Sequence, residues 1–138
     1  MSRKSARAAA VQMVFENMLG GDGGEDTLQG LIAFTPEEGD TAFIDQVLSG
    51  VDEHVFEIDD MIEQNLKGWA LSRIAKVDQA VLRVAIWEMC YDRTTPDAVV
   101  INEAVTLAQR FNTPGAGKFV NGVLSAVLEA RNRQGEKA

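Results

Sequence analysis

The chain has 138 residues and a net charge of −8, from 13 basic and 21 acidic residues. Its length and its 46% hydrophobic and 25% charged content predict one compact domain with a single core. One cysteine and one histidine exclude an internal disulfide and a zinc site with four protein ligands, and no apolar run approaches the ~20 residues of a membrane span. We therefore expect a cytoplasmic protein that needs neither a metal nor another cofactor.

Hydrophobic periodicity predicts helices along almost the whole chain. A first helix runs from about residue 3 to 19 and ends at the glycine-rich run 20–24. Asp26 is a plausible N-cap for a short second helix. A third, the longest, spans about residues 41–67 with one apolar stripe, and Gly68 follows it.

The second half of the chain predicts three more helices. Residues 77–91 are apolar on nearly every side, which indicates a central, buried helix, since the segment is long and no second strand is available to pair with it. The pair Thr95-Pro96 predicts the start of a helix that ends at Asn112. The last helix begins near Gly115 and continues into a polar tail. The fold class is therefore all-α.

No catalytic constellation is apparent. His54 lies within an acidic helix and Cys90 within the central one, so neither has the partner that a nucleophile or general base requires. The adjacent carboxylates point about 100° apart on their helices and are best explained as solvated faces. The glycine-rich run follows a helix instead of a strand, and no Gly-Lys-Ser/Thr sequence occurs. We expect a protein without enzymatic activity.

The charges are distributed unevenly. Residues 1–15 contain three basic side chains and no acid, whereas residues 16–66 contain 14 acids and no Lys or Arg. The simplest interpretation is a basic tail beside a well-solvated acidic half. Alternatively, the N-terminal segment is a small cationic site, and the acidic surface discourages nonspecific RNA binding or faces a basic partner.

Two groups of basic residues are candidate binding sites. Arg3, Lys4 and Arg7 fall on one flank of the first helix, where cations oppose the helix dipole, although a solubilising tail would look the same. The second site is the glycine-containing loop before the last helix, with Lys118 and Phe119. Its amides and lysine could bind a phosphate and its ring could stack on a base. Alternatively, Phe119 belongs to the core stripe and Lys118 simply faces water.

Three blocks in the second half resemble the NusB family of transcription antitermination factors. They are VDQAVLRVAIWE at residues 77–88, INEAV at 101–105 and KFVNGVL at 118–124. A weaker similarity extends over the basic start, the AAVQ segment of the first helix and WALSRI at 69–74. The glycine-rich linker and the acidic middle do not contribute to this resemblance.

The resemblance implies an all-helical fold of about seven helices in two small packed bundles, an N-terminal subdomain of about residues 1–68 and a C-terminal one of about 69–138. It implies a non-catalytic factor that binds boxA RNA in nascent transcripts, notably ribosomal RNA. It also implies a protein partner, the small-subunit ribosomal protein NusE, and coupling to the RNA polymerase antitermination complex. Whether the protein is a monomer or a homodimer stays open.

Carried over by position, the resemblance places RNA contacts at two sites and a protein contact at a third. The RNA-binding residues are Arg3, Lys4 and Arg7 in the first site and Lys118 and Phe119 in the second. The partner-binding residues are Phe15 and Asp78, with Phe15 standing where a tyrosine is frequent. We expect the two cationic sites to lie close enough to grip one flexible strand.

Two alternatives remain open at this stage. The protein could be an interaction module or dimer that uses the acidic segment 16–66 and does not bind RNA. A similar helical domain also occurs fused to an RNA cytosine methyltransferase. A chain of this length has no room for a cofactor-binding sheet, so that alternative requires the chain to be a fragment.

Overall fold

The computed structural model describes residues 3–20, 38–68 and 70–137, without the side chains of 38–40 and 135–137. The described residues contain helices and turns and no strand, which confirms the predicted all-α class. The predicted short helix after Asp26 and the residue Trp69 lie outside the described part. Among the described helices, none is both long enough and apolar enough to cross a membrane.

Six α-helices account for most of the described chain. They are α1 (Arg3–Met18), α2 (Glu38–Glu53), α3 (Val55–Gln64), α4 (Lys76–Trp87), α5 (Asp97–Phe111) and α6 (Pro114–Lys137). A 3₁₀ turn at Leu71–Arg73 precedes α4, and a π-helical turn at Glu88–Asp92 extends it. The helices of the second half begin and end within a few residues of their predicted limits, which is the usual uncertainty of helix ends.

Helix α4 forms the centre of the molecule, as its apolar sequence predicts. It contacts α1, α2, α3, α5 and α6. Leu82 and Ile86 are fully buried, and nine of its residues are shielded from solvent. Because α4 packs against helices from both ends of the chain, it joins the two halves through one core. The division into subdomains near residue 68 stays a prediction.

Small residues permit the closest contacts around α4. Ala6, Ala9 and Ala10 on α1 are 0–2% exposed, so the α1 backbone approaches its neighbours closely. On α2, a Cβ atom at Gly50 would lie only 1.9 Å from Nε1 of Trp87. Only glycine fits there, and this contact fixes how α2 crosses the end of α4.

The long helix predicted for residues 41–67 is wrong in three details, the first of which is that α6, with 24 residues, is the longest described helix. The predicted helix is interrupted at His54, which has φ −113° and ψ 17° and whose ring stacks on Tyr91 with centroids 3.9 Å apart. It also ends early, at Gln64, because Asn65 leaves the helical conformation with φ −112° and ψ 17°, and Lys67 and Gly68 then adopt positive φ values of 49° and 93°. A non-glycine residue rarely adopts this left-handed conformation, so the chain reverses at this point.

The directions of α1 and α6 relative to α4 determine where the candidate site residues lie. Helix α1 is antiparallel to α4, because Arg7 contacts Glu88 just after the end of α4 while Phe15 lies beside Val77 at its start. Helix α6 is parallel to α4, because Phe119 lies beside Asp78 and Arg131 donates to the Met89 carbonyl. Phe15 and Phe119 therefore both lie near the beginning of α4.

Candidate nucleic-acid interface

The first predicted cationic site begins with two exposed side chains at the start of α1. Arg3 and Lys4 both face solvent. The guanidinium of Arg3 lies over the ring of Phe43 on α2, 4.1 Å from its centroid. This cation–π contact positions the guanidinium, and Arg3 stays exposed to solvent. Arg3 and Lys4 are thus available to an anionic ligand.

Arg7 differs from this expectation and requires a correction. Its side chain is buried, and it donates from Nε and Nη2 to the two carboxylate oxygens of Glu88, at 2.6 and 2.8 Å. Glu88 is itself 0% exposed. A guanidinium that is committed to a bidentate ion pair and shielded from solvent is not accessible to a phosphate in this structure. The predicted solvent-facing trio is therefore a pair, Arg3 and Lys4, beneath which Arg7 ties α1 to the end of α4.

The second predicted site borders a cleft of about 490 Å³. Lys118 and Phe119 form one wall, as the sequence predicts, and Phe119 is only half-buried, so part of its ring faces the cleft. Lys67, after α3, and Arg73, in the 3₁₀ turn, form the opposite side. Neither of these two is among the residues predicted from the sequence. None of the three cations has an ion-pair partner among the described residues.

The additional cations could be found only from the fold. Lys67 and Arg73 stand some 45 to 50 positions before Lys118 in the chain. They reach the same cleft because the left-handed turn at Lys67 and Gly68 leads the chain across the beginning of α4. The sequence marks only Lys67 as unusual, because it is the first basic residue after the long acidic segment.

Asp78 lies in the wall of this cleft and is only 6% exposed. Its two carboxylate oxygens accept hydrogen bonds from Nδ2 of Asn112, at 3.2 and 3.1 Å. Burial raises the pKa of this carboxyl above its usual value, and the bond from Asn112 only partly offsets the effect. Asp78 therefore carries a charge that its surroundings disfavour.

Phe15, the other predicted partner-binding residue, lines a separate groove of about 580 Å³. The groove is mainly apolar, and Val77, Phe111 and Leu19, which is 60% exposed, contribute to it. Ala75 borders both the groove and the cleft. Phe15 and Asp78 thus do not share one surface but line two neighbouring depressions on either side of the beginning of α4.

The two cationic sites do not form one groove, contrary to expectation. Arg7 anchors the start of α1 at Glu88, whereas Lys118 shares its cleft with Asp78. Glu88 and Asp78 are separated by the length of α4, which is about 15 Å at the helical rise of 1.5 Å per residue. The sites therefore lie at opposite ends of the central helix.

The remaining titratable cluster is structural. Nδ1 of His54 lies 3.0 Å from Oε2 of Glu57, which also accepts a hydrogen bond from the Tyr91 hydroxyl at 2.8 Å. Burial and this carboxylate raise the pKa of Tyr91 to about 12, and burial raises the pKa of the Cys90 thiol. Both groups are thus protonated at neutral pH and poorly suited to nucleophilic attack. The described residues hold no cluster of three or more potential metal ligands.

Comparison with known proteins agrees with this architecture. The model of the NusB family matches residues 4–129. The transcription antitermination protein NusB of Bacillus velezensis is 42% identical over 127 residues, which cover 92% of this chain and 95% of that protein. The NusB protein of Acetivibrio thermocellus is 38% identical over 132 residues, which cover 95% and 91%.

Solved structures show the same fold. T. maritima NusB superposes with a TM-score of 0.82 at 31% identity, covering 94% of this chain and 92% of that one. A crystal structure of antitermination factors NusB and NusE in complex with double-stranded RNA superposes with a TM-score of 0.81 at 26% identity, covering 93% and 96%. The chain belongs to the NusB family.

Proposed function

We propose that the protein is a transcription antitermination factor that binds boxA RNA of nascent transcripts, ribosomal RNA among them, together with NusE. Membership of the NusB family supports this function, and a solved relative occurs in a complex with NusE and RNA. Binding requires no bond to be made or broken, so we expect no enzymatic activity. We further propose that the protein acts in the cytoplasm and couples the RNA to RNA polymerase.

The cleft beside Phe119 is the main structural support for RNA binding. It combines one aromatic ring with three cations that have no ion-pair partner in the described part of the chain, and single-stranded nucleic acids are bound by such a combination of positive charge and stacking. Lys118, Lys67 and Arg73 would neutralise phosphates while Phe119 stacks on an unpaired base. Unpaired bases are also the part of RNA that proteins read most readily. Arg3 and Lys4 would bind a second segment of the same strand.

We propose the apolar groove around Phe15 as the partner-binding surface for NusE. Its exposed Leu19 and its mostly apolar lining suit a protein side chain better than a phosphate. Because Ala75 borders both depressions, a protein in the groove would lie beside RNA in the cleft. Asp78 lines the cleft and not the groove, so its predicted contact with the partner would require the partner to reach over Ala75 to the edge of the cleft.

Fluorescence anisotropy with a labelled boxA oligonucleotide, with and without NusE, tests this function. Lys118→Glu is expected to weaken binding about tenfold or more, because it places a carboxylate where a phosphate would lie. Arg133→Glu is the matched control, since Arg133 is exposed on the same helix about four turns away, where it pairs with Glu129 on the surface. Equal losses from both variants would indicate an effect of net charge alone.

Salt dependence provides an independent measure. Contacts with three to five phosphates predict a slope of log affinity against log salt of roughly −2 to −3.5 for a single strand. A slope near zero would exclude the cationic contacts. Phe119→Ala is expected to reduce the difference in affinity between boxA and a scrambled sequence.

One observation favours a second candidate function, a protein-interaction module without RNA binding. Phe56 on α3 is 89% exposed, the most exposed large apolar side chain in the described part of the chain. Its neighbours Glu53, Glu57 and Asp60 are also exposed, so the surface would suit a basic partner. Absence of boxA binding, with or without NusE, would favour this function.

A further inference from the structure

The cleft beside Phe119 has the dimensions of a pocket for one small molecule. Its volume of about 490 Å³ lies within the range of ligand sites in proteins. Four separate segments form its walls: the chain after α3, the 3₁₀ turn, the start of α4 and the start of α6. The cleft therefore offers more than a flat surface for stacking, because a planar group against Phe119 would be surrounded at its edges.

Asp78 supplies hydrogen-bond acceptors at one edge of this cleft. An ionised carboxylate can accept about four hydrogen bonds, and Asn112 provides one Nδ2 group shared between the two oxygens. The cations that border the cleft lie beyond ion-pairing distance from Asp78. Asp78, which is nine-tenths buried and lines the cleft, therefore retains acceptor capacity beyond its bonds with Asn112. Its raised pKa shows that this arrangement lowers stability, as is common for residues retained for binding.

Gly122 keeps the cleft open on the side of α6. A methyl group at this position would meet no atom of another segment within 4 Å, whereas one at Gly117, on the same helix, would lie 2.8 Å from Gln109. Gly122 therefore borders free space in the cleft and does not serve a close helix contact. A larger side chain there would fill the cleft without displacing the core.

We propose that this cleft binds one unpaired guanine of the RNA, which stacks on Phe119 and donates its N1–H and N2–H groups to Asp78. The inference rests on the proposed RNA-binding function and adds base specificity to it. Two parallel N–H donors match the two oxygens of a carboxylate, as in other bidentate pairs. Uracil instead presents one N–H between two carbonyl oxygens, which a carboxylate repels. The cations Lys118 and Arg73 lie at the border, where the phosphate of that nucleotide would be neutralised.

The experiment compares three labelled single-stranded RNAs by fluorescence anisotropy. They are a plain oligouridine, the same strand with one central guanosine, and the same strand with inosine in that place. We expect the guanosine strand to bind about tenfold tighter than oligouridine, the size of one good bidentate base contact. Inosine lacks only the N2 amino group and should fall between them. Asp78→Asn should bring the ratio of guanosine to uridine affinities close to one.

A second variant tests the preference for guanosine without changing the Asp78 carboxylate. Gly122→Leu should abolish the preference by filling the cleft, and its fold should be retained because leucine has a higher helix propensity than glycine. Ser125→Leu is the matched control, since Ser125 is exposed on the same helix and does not line the cleft. It should preserve the wild-type ratio.

The outcomes separate this inference from the proposed function. Equal binding of the guanosine and uridine strands by the wild-type protein would overturn the inference and leave the RNA-binding function intact. Retention of the guanosine preference by both Asp78→Asn and Gly122→Leu would also overturn it. Absence of binding to any of the three strands, and to boxA RNA with NusE, would overturn both.

Discussion

The ion pair between Arg7 and Glu88 should dominate the stability of the contact between α1 and α4. The two side chains are 4% and 0% exposed, so water hardly screens their charges. Arg7→Met fills similar space but leaves the Glu88 carboxylate buried and unpaired, which costs about 3–5 kcal/mol. At roughly 4 °C per kcal/mol for a domain of this size, the melting temperature should fall by about 12–20 °C.

Thermal and urea unfolding followed by circular dichroism measure this change. Lys4→Met is the matched control, since it also replaces a cation by methionine, at an exposed position one turn earlier, and should alter stability by less than ~0.5 kcal/mol. The double variant Arg7→Met/Glu88→Leu removes both charges and should recover most of the loss. A cost below ~1 kcal/mol for Arg7→Met alone would refute the assignment of a buried, tightly bonded pair.

The double variant also separates a structural role for Arg7 from direct RNA binding. We expect it to retain the fold without the Arg7 charge, so its RNA affinity and salt dependence should match those of the wild-type protein. A decrease in the salt slope of about 0.7, the value for one phosphate on a single strand, would instead show that Arg7 contacts RNA.

Three further predictions concern the core, the cleft and the Tyr91 cluster. Gly50→Ala should cost about 2 kcal/mol or more in urea unfolding, because the new methyl group overlaps Trp87, and a loss below ~0.5 kcal/mol would contradict the close approach. Asp78→Asn should melt at a higher temperature than the wild type at pH 7. Because the folded-state pKa of Asp78 is raised, the penalty of its charge disappears as pH falls below the ordinary value of ~3.9, so the two melting temperatures should converge there, whereas a constant difference would refute burial as the cause. Tyr91→Phe should raise the pKa of Glu57, measured by NMR titration, since the Tyr91 hydroxyl is the largest of the influences that lower it; an unchanged pKa would contradict the hydrogen bond.

A control accompanies the glycine substitution. Gly122→Ala adds the same methyl group on another helix, at a position where it meets no neighbouring segment. It should be neutral or slightly stabilising, because alanine favours the helix. A similar loss from both glycine substitutions would indicate a backbone effect instead of a collision with Trp87.

The helical periods of the sequence suffice to predict the architecture. Because α4 is apolar on nearly every side, its sequence predicts a central position, and the structure confirms this position. What the periodicity cannot predict is the interruption at His54, because the apolar stripe continues unbroken through it. The interruption accompanies the stacking of His54 on Tyr91, a contact between segments that are far apart in sequence.

The site was only partly predictable for a similar reason. Arg7 shares a flank with Arg3 and Lys4 by spacing, but it also lies three residues before Ala10 on the buried face of α1. Hydropathy classifies an arginine as exposed unless its partner is known, and Glu88 stands 81 residues away. The signal that could have identified this buried pair is the position of Glu88, an acid directly between the apolar residues Trp87 and Met89.

If both cationic sites bind one RNA strand as proposed, the placement of Arg3 and Lys4 at one end of α4 and of Lys118 at the other would set a minimum length for that strand. At ~3.4 Å per nucleotide, about five nucleotides are needed to bridge the ~15 Å between the ends of the helix. Shorter strands would occupy one end at a time, and longer ones would gain the avidity of a tethered second contact. The rigid central helix would thereby act as a molecular ruler that selects extended, unstructured stretches of transcript over short loops.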